Sequence, residues 1–87
     1  MNHRIDVVNV APHTWEVRVA AARATEHRVR VSPDYAAKLV RPGETVESLI
    51  VRSFEFLLER EPNTSILGEF DLSVINRYFP DYETSIR

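Results

Sequence analysis

The sequence predicts an α+β fold: an N-terminal antiparallel β-hairpin or three-stranded sheet packed on a long central helix, with two shorter helices. Three observations predict it. Residues 15–21 (WEVRVAA) and 26–31 (EHRVRV) alternate apolar and polar side chains with the period of a half-buried strand. Residues 45–61 (TVESLIVRSFEFLLERE) carry their polar positions Ser48, Arg52, Glu55 and Glu59 at helical spacing. Prolines and glycines punctuate the chain at Pro12, Pro33, Pro42-Gly43, Pro62, Gly68 and Pro80, between the periodic runs.

Taken in order, residues 5–10 (IDVVNV) read as a short β-branched strand with imperfect alternation. Ala11-Pro12-His13 interrupts it. In the second strand Trp15, Val17 and Val19 share one face, and Glu16 and Arg18 the other. The third strand sets His27, Val29 and Val31 against Glu26, Arg28 and Arg30, so opposite charges can meet across the polar face of a hairpin. Ser32-Pro33-Asp34 opens a helix over about 33–40, with a serine N-cap, proline at the first helical position and an acid in the first turn. Arg41-Pro42-Gly43 ends it.

The central helix follows, expected over about 45–61. Thr45 is its N-cap and Pro62 its stop, because the residue before a proline is pushed out of the α region. Its apolar arc spans about 220°, far wider than the stripe of an ordinary surface helix. Two short helical pieces are expected after it, at about 65–70 and 72–79, the second capped by Asp71 or Ser73. The tail, 81–87, is expected to fray.

Eighty-seven residues make one domain, with no room for a second core. The chain has no cysteine, which removes disulfides and thiol chemistry and fits a reducing compartment. MNHRIDVVNV contains no apolar run resembling a secretion signal, and no stretch is long enough to span a bilayer. A cytoplasmic protein with no membrane partner is therefore the expectation. Net charge is −2, unevenly spread: residues 1–43 hold seven Lys/Arg against four acids, and residues 44–87 four Arg against nine acids.

No set of residues reads as a reaction centre. His3, His13 and His27 lie far apart in the strand region without a supporting acid cluster, so no metal is expected. None of Ser32, Ser48, Ser53, Ser65 and Ser73 lies in a glycine-flanked elbow, and two glycines cannot build a phosphate-cradling loop. The expectation is a protein with no catalytic residues and no cofactor. What remains is surplus apolar surface. The sheet face and the segment 72–79 cover much of the central helix, leaving a flank made by Glu47, Val51 and Leu58. That flank is the candidate partner surface, and the partner expected there is a second copy of the chain or another protein.

Two resemblances add to this reading. HRVRV, SPDYAAKL and ETVESLIVRSFEFLLER, spanning residues 26–61 with the preceding Glu26, resemble the strand–helix–helix order of ribbon-helix-helix DNA-binding regulators and antitoxins. In that family two ribbons pair in a dimer and enter the major groove. The resemblance implies base contacts from Glu26, Arg28 and Arg30 and phosphate contact at Thr45. The upstream strand 15–21 offers the same ribbon a partner within the chain. Separately, SFEFLLEREPNTSILGEFDLSVINRYFPDYE resembles a motif of small uncharacterised bacterial proteins. That resemblance implies a shared fold and no particular activity.

Overall fold

The computed structural model describes residues 3–87. Its centre is a four-stranded sheet in the order β1-β2-β3-β4, with helices packed on one face. β1 (Arg4–Ala11) and β2 (Thr14–Ala20) form a hairpin whose turn is Pro12-His13. Proline presets the first turn position, and His13 takes a positive φ of 58° at the second, the backbone pattern of a type II turn. The segment expected to interrupt the sheet is thus its first turn. Register with β2 slips between Asn9 and Ala11, where the Asn9 amide nitrogen donates to the carbonyls of Ala11 and Thr14, both at 2.9 Å.

β3 (Thr25–Arg30) pairs antiparallel with β2. The alternation read in the sequence is realised: Trp15, Val17, Val19, His27 and Val29 are buried on the inner face, while Glu16, Arg18, Glu26, Arg28 and Arg30 face outward. α1 (Pro33–Leu39) starts as expected, with Ser32 accepting from the Tyr35 amide at 3.1 Å. α2 (Val46–Leu58) is the central helix, and Thr45 accepts from the Ser48 amide at 3.1 Å.

Three expectations are corrected. α2 has 13 residues and is not the long helix expected over 45–61. Its end tightens before Pro62, where the Arg60 and Glu61 amides both reach back to the Leu57 carbonyl at 2.9 Å. The piece at 65–70 is not helical. A single 3-10 turn at Asn63–Ser65 leads into a fourth strand, β4 (Glu69–Asp71), which joins β3 in parallel and makes the sheet mixed. Along β4 only Phe70 is buried, between the exposed Glu69 and the half-buried Asp71. The helix expected over 72–79 is a 3-10 turn at Leu72–Val74 running into one turn of helix, α3 (Ile75–Tyr78).

The tail is also ordered differently from expectation. It forms α4 (Tyr82–Ser85), with Tyr82 fully buried and Ile86 nearly so. The physical reason lies on α2. Ser53 and Phe56 project away from the sheet and need cover, and Tyr82 supplies it through a 2.6 Å contact between its hydroxyl and Ser53 Oγ and an edge-on contact with Phe56. One apolar cluster therefore runs from the sheet's inner face through α2 to the C-terminal segment. Among the described residues no helix is long and apolar enough to cross a membrane.

Candidate interaction surface

The three residues of the expected flank do not share one environment. Glu47 is half-buried and engaged inside the chain: its Oε2 accepts from the Trp15 indole N–H at 2.8 Å. Leu58 is half-buried and packs against the core cluster. Val51 is half-buried without belonging to that cluster. Position on the helix explains the difference. The Phe54 ring lies over His27 and Phe70, on β3 and β4. Leu57, on the near side of Phe54, reaches the β4–α3 side. Val51 and Leu58 lie on the other side of Phe54 at 100° per residue, which turns them toward β1, the strand that α2 overhangs most closely.

The sequence predicts this strand over residues 5–10 but does not place it at the sheet edge beneath that flank. β1 is an edge strand, paired among the described residues with β2 alone. Its inner face carries Ile5 and Val7, both half-buried, and its outer face carries Val8 and Val10, 59% and 44% exposed. The imperfect alternation of IDVVNV was the available signal: adjacent valines place apolar groups on both faces of a strand.

The remaining outer face is charged and internally paired. Arg18 meets Glu26, Arg28 meets Glu16 at 2.9 Å, and Arg30 meets Glu69 at 2.9 Å. These are exposed pairs, each worth about 0–1 kcal/mol. Arg28 and Arg30, the candidate nucleic-acid contacts, thus point outward, but each is held by a carboxylate. β3 has neighbours on both edges, so it has no edge with which to form a two-stranded ribbon with another copy. Thr45 spends its hydroxyl on the α2 cap, and Glu44 and Glu47 stand beside that helix start, where a phosphate would meet carboxylates.

Among the described residues, Glu44 and Arg52 form the most enclosed ion pair. Arg52 Nη2 and Nε reach the two Glu44 oxygens at 2.7 and 2.8 Å, and Glu44 also accepts from Ser48 Oγ and the Arg41 amide, both at 3.0 Å. Arg52 further donates to the carbonyls of Leu39 and Ile86, joining α1, α2 and the C-terminal segment. The Arg52 hydrogen bond holds the Glu44 carboxyl down at about 2. Glu83 is likewise lowered, by the Tyr35 hydroxyl at 2.7 Å and by Lys38 at 2.9 Å. Both carboxylates tie elements of the fold together.

A shallow apolar groove of about 350 Å³ lies between the end of α2, β4 and α3. Leu57, Phe70 and Ile75 form its floor, and Leu67 and Tyr78 stand exposed at its rim. The three histidines do not converge. His3 and His13 are exposed at the sheet's margin, while His27 is buried under Phe54 and bonds Thr25 and the Leu67 carbonyl. Among the described residues no group of three His, Asp or Glu side chains is placed to hold a metal ion. Comparison with protein-family models, with curated proteins and with solved structures finds no match for this chain.

Proposed function

We propose that this protein is a small non-catalytic interaction module that works through self-association, or as an accessory subunit of a larger assembly. The observation that carries the reading is apolar surface at one side of the fold. The β1 edge exposes Val8 and Val10, and the overhanging flank of α2 leaves Val51 and Leu58 half-covered. Val8 and Val10 stand on the outer face of an open strand, and Val51 and Leu58 on the helix over its inner face, so apolar groups border one sheet edge on both sides, and such concentration marks interaction sites. The charged outer face supports the same reading, because its cations are already matched by carboxylates within the chain.

Sedimentation velocity over a range of concentrations tests the proposal. A mass of two chains, or co-purification of a stoichiometric partner, is expected. A species of one chain's mass at the highest concentration, with no partner retained on an affinity column, overturns it. A salt titration against duplex DNA tests the alternative regulator: the paired state of Arg28 and Arg30 predicts no binding even at low salt, where phosphate contacts are strongest.

A further inference from the structure

Strand edges attract other strands, and proteins protect them with short length, proline, charge or a bulge. The two edges of this sheet differ in that respect. β4 is three residues long and begins and ends with an acid. β1 is eight residues long and contains no proline, and its only charges, Arg4 and Asp6, face each other at 3.3 Å on the same strand. Pairing with β2 is regular from Arg4 to Asn9 and becomes irregular only at Val10.

We infer that the β1 edge receives β1 of a second copy, antiparallel, with the two-fold axis between the two Val7 residues, so that one sheet runs through both molecules. The inference rests on the self-association proposed above and names its surface. Three considerations select the second copy and this register. The strand is self-complementary, apolar and without net charge, so an identical strand meets no electrostatic penalty along it. Centring the pair on Asp6 would set two carboxylates directly opposite, which is destabilising. Centring it on Asn9 would draw the irregular backbone at Val10 into the middle of the ladder. With Val7 on the axis, Val7 faces the partner's Val7, Ile5 faces the partner's Asn9 and Asp6 faces the partner's Val8.

Area supports the same arrangement. A stable interface buries about 800 Å² on each partner, more than two edge strands supply by themselves. The flank of α2 lies above the same edge. An antiparallel partner brings its own Val51 and Leu58 to that side, so the inner faces of the two sheets and the two helix flanks close into one apolar layer. Ile5, Val7, Val51 and Leu58, half-exposed in the single chain, are the residues this layer would cover.

The absence of cysteine makes the register directly testable. Val7→Cys places a single thiol on the axis. Directly opposed residues of an antiparallel pair have Cα atoms about 4.5–5.5 Å apart, within the span of a disulfide. Mild oxidation is therefore expected to convert Val7→Cys to a covalent dimer on a non-reducing gel. Val10→Cys, on a more exposed side chain, would hold its two thiols roughly 20 Å apart and is expected to stay uncrosslinked. Val8→Asp, set against the partner's Asp6, is expected to weaken dimerisation about tenfold, with a thermal melt confirming that the variant is folded. Absence of crosslinking in Val7→Cys, equal crosslinking in Val10→Cys, or unaltered dimerisation of a folded Val8→Asp overturns the edge pairing. If the unmodified chain is nevertheless a dimer in those cases, self-association stands and only its surface is wrong. A monomeric unmodified chain overturns both.

Discussion

The Trp15 indole N–H and the Glu47 carboxylate meet at 2.8 Å, joining the first turn of α2 to the second strand of the sheet. Trp15 is buried, and among the described residues its donor has no other hydrogen-bond partner. A helix lying across a sheet can slide or rotate so long as only apolar groups touch. One directional bond at the helix start limits both motions, and so sets which residues of α2 turn toward β1.

Removal of that acceptor gives the first prediction. Glu47→Ala leaves the indole N–H unsatisfied at the edge of the core and is expected to destabilise the fold by about 1–2 kcal/mol, since hydrogen bonds to charged groups sit at the stronger end of the range. Glu47→Gln keeps an acceptor oxygen and is expected to lose less than half as much. Urea unfolding followed by Trp15 fluorescence measures both. Equal losses for the two variants would show that the carboxylate acts by charge near the helix start and not by this bond.

The second prediction concerns acid. The Glu44 carboxyl is held at about 2 in the folded chain, below its ordinary value of 4.5, chiefly by the Arg52 hydrogen bond. A folded-state value below the unfolded one stabilises the fold above the unfolded value, and that contribution is lost as pH falls from about 4.5 toward 2. With side chains 15% and 10% exposed for Arg52 and Glu44, the contribution after solvent screening is about 2 kcal/mol. Thermal melts between pH 6 and pH 2.5 are expected to show this loss in the unmodified chain and a shallower slope in Glu44→Gln. Identical slopes would remove Glu44 as a source of the acid sensitivity.

What could be read from the sequence follows the range over which each element is determined. β2, β3, the start of α1 and the cap of α2 rest on alternation and on residues adjacent to their targets, as with Ser32 to the Tyr35 amide and Thr45 to the Ser48 amide. The fourth strand does not. Glu69-Phe70-Asp71 is too short to reveal a period, and becomes a strand because β3 presents a free edge that its backbone can pair. Helix α4 likewise depends on the opening beside Ser53, built by residues 29 positions away. The candidate surface was half legible for the same reason. The Val51 and Leu58 flank follows from the angular positions on α2, whereas the β1 edge beneath it exists only once the strand order is known.

The third prediction follows from how β4 is held. Asn63 Nδ2 donates to the Arg23 carbonyl at 2.7 Å and to Thr25 Oγ1 at 2.9 Å, and His27 bridges Thr25 Oγ1 at 2.9 Å and the Leu67 carbonyl at 2.7 Å. A carbonyl can only accept, so Nδ1 carries a proton. These bonds pin both ends of the segment leading into β4, whose own ladder is short. Asn63→Ala is expected to accelerate hydrogen exchange at the Arg28 amide, which donates to the Gly68 carbonyl at 2.8 Å, more than at amides between β1 and β2. Uniform acceleration throughout the sheet would mean that β4 opens only with the whole fold.

The last prediction tests whether the tail belongs to the core. Tyr82 is fully buried against Phe56, and its hydroxyl meets Ser53 Oγ, which donates to the Leu49 carbonyl at 2.9 Å and so accepts from the tyrosine. Tyr82→Phe removes one donor but leaves Ser53 bonded to Leu49, at an expected cost of about 1 kcal/mol. Tyr82→Ala also opens a cavity beside α2 and is expected to cost about 3–5 kcal/mol, as buried aromatic truncations do. Burial pushes the phenol up to about 12 from its ordinary value of 10. A raised folded value gives stability that is complete below pH 10 and falls away as pH rises from about 10 toward 12. Tyr82→Phe is therefore expected to flatten the alkaline limb of the stability curve as well as lower its plateau. A frayed tail would predict the opposite on every measure: small losses for both variants, and an alkaline limb that neither variant changes.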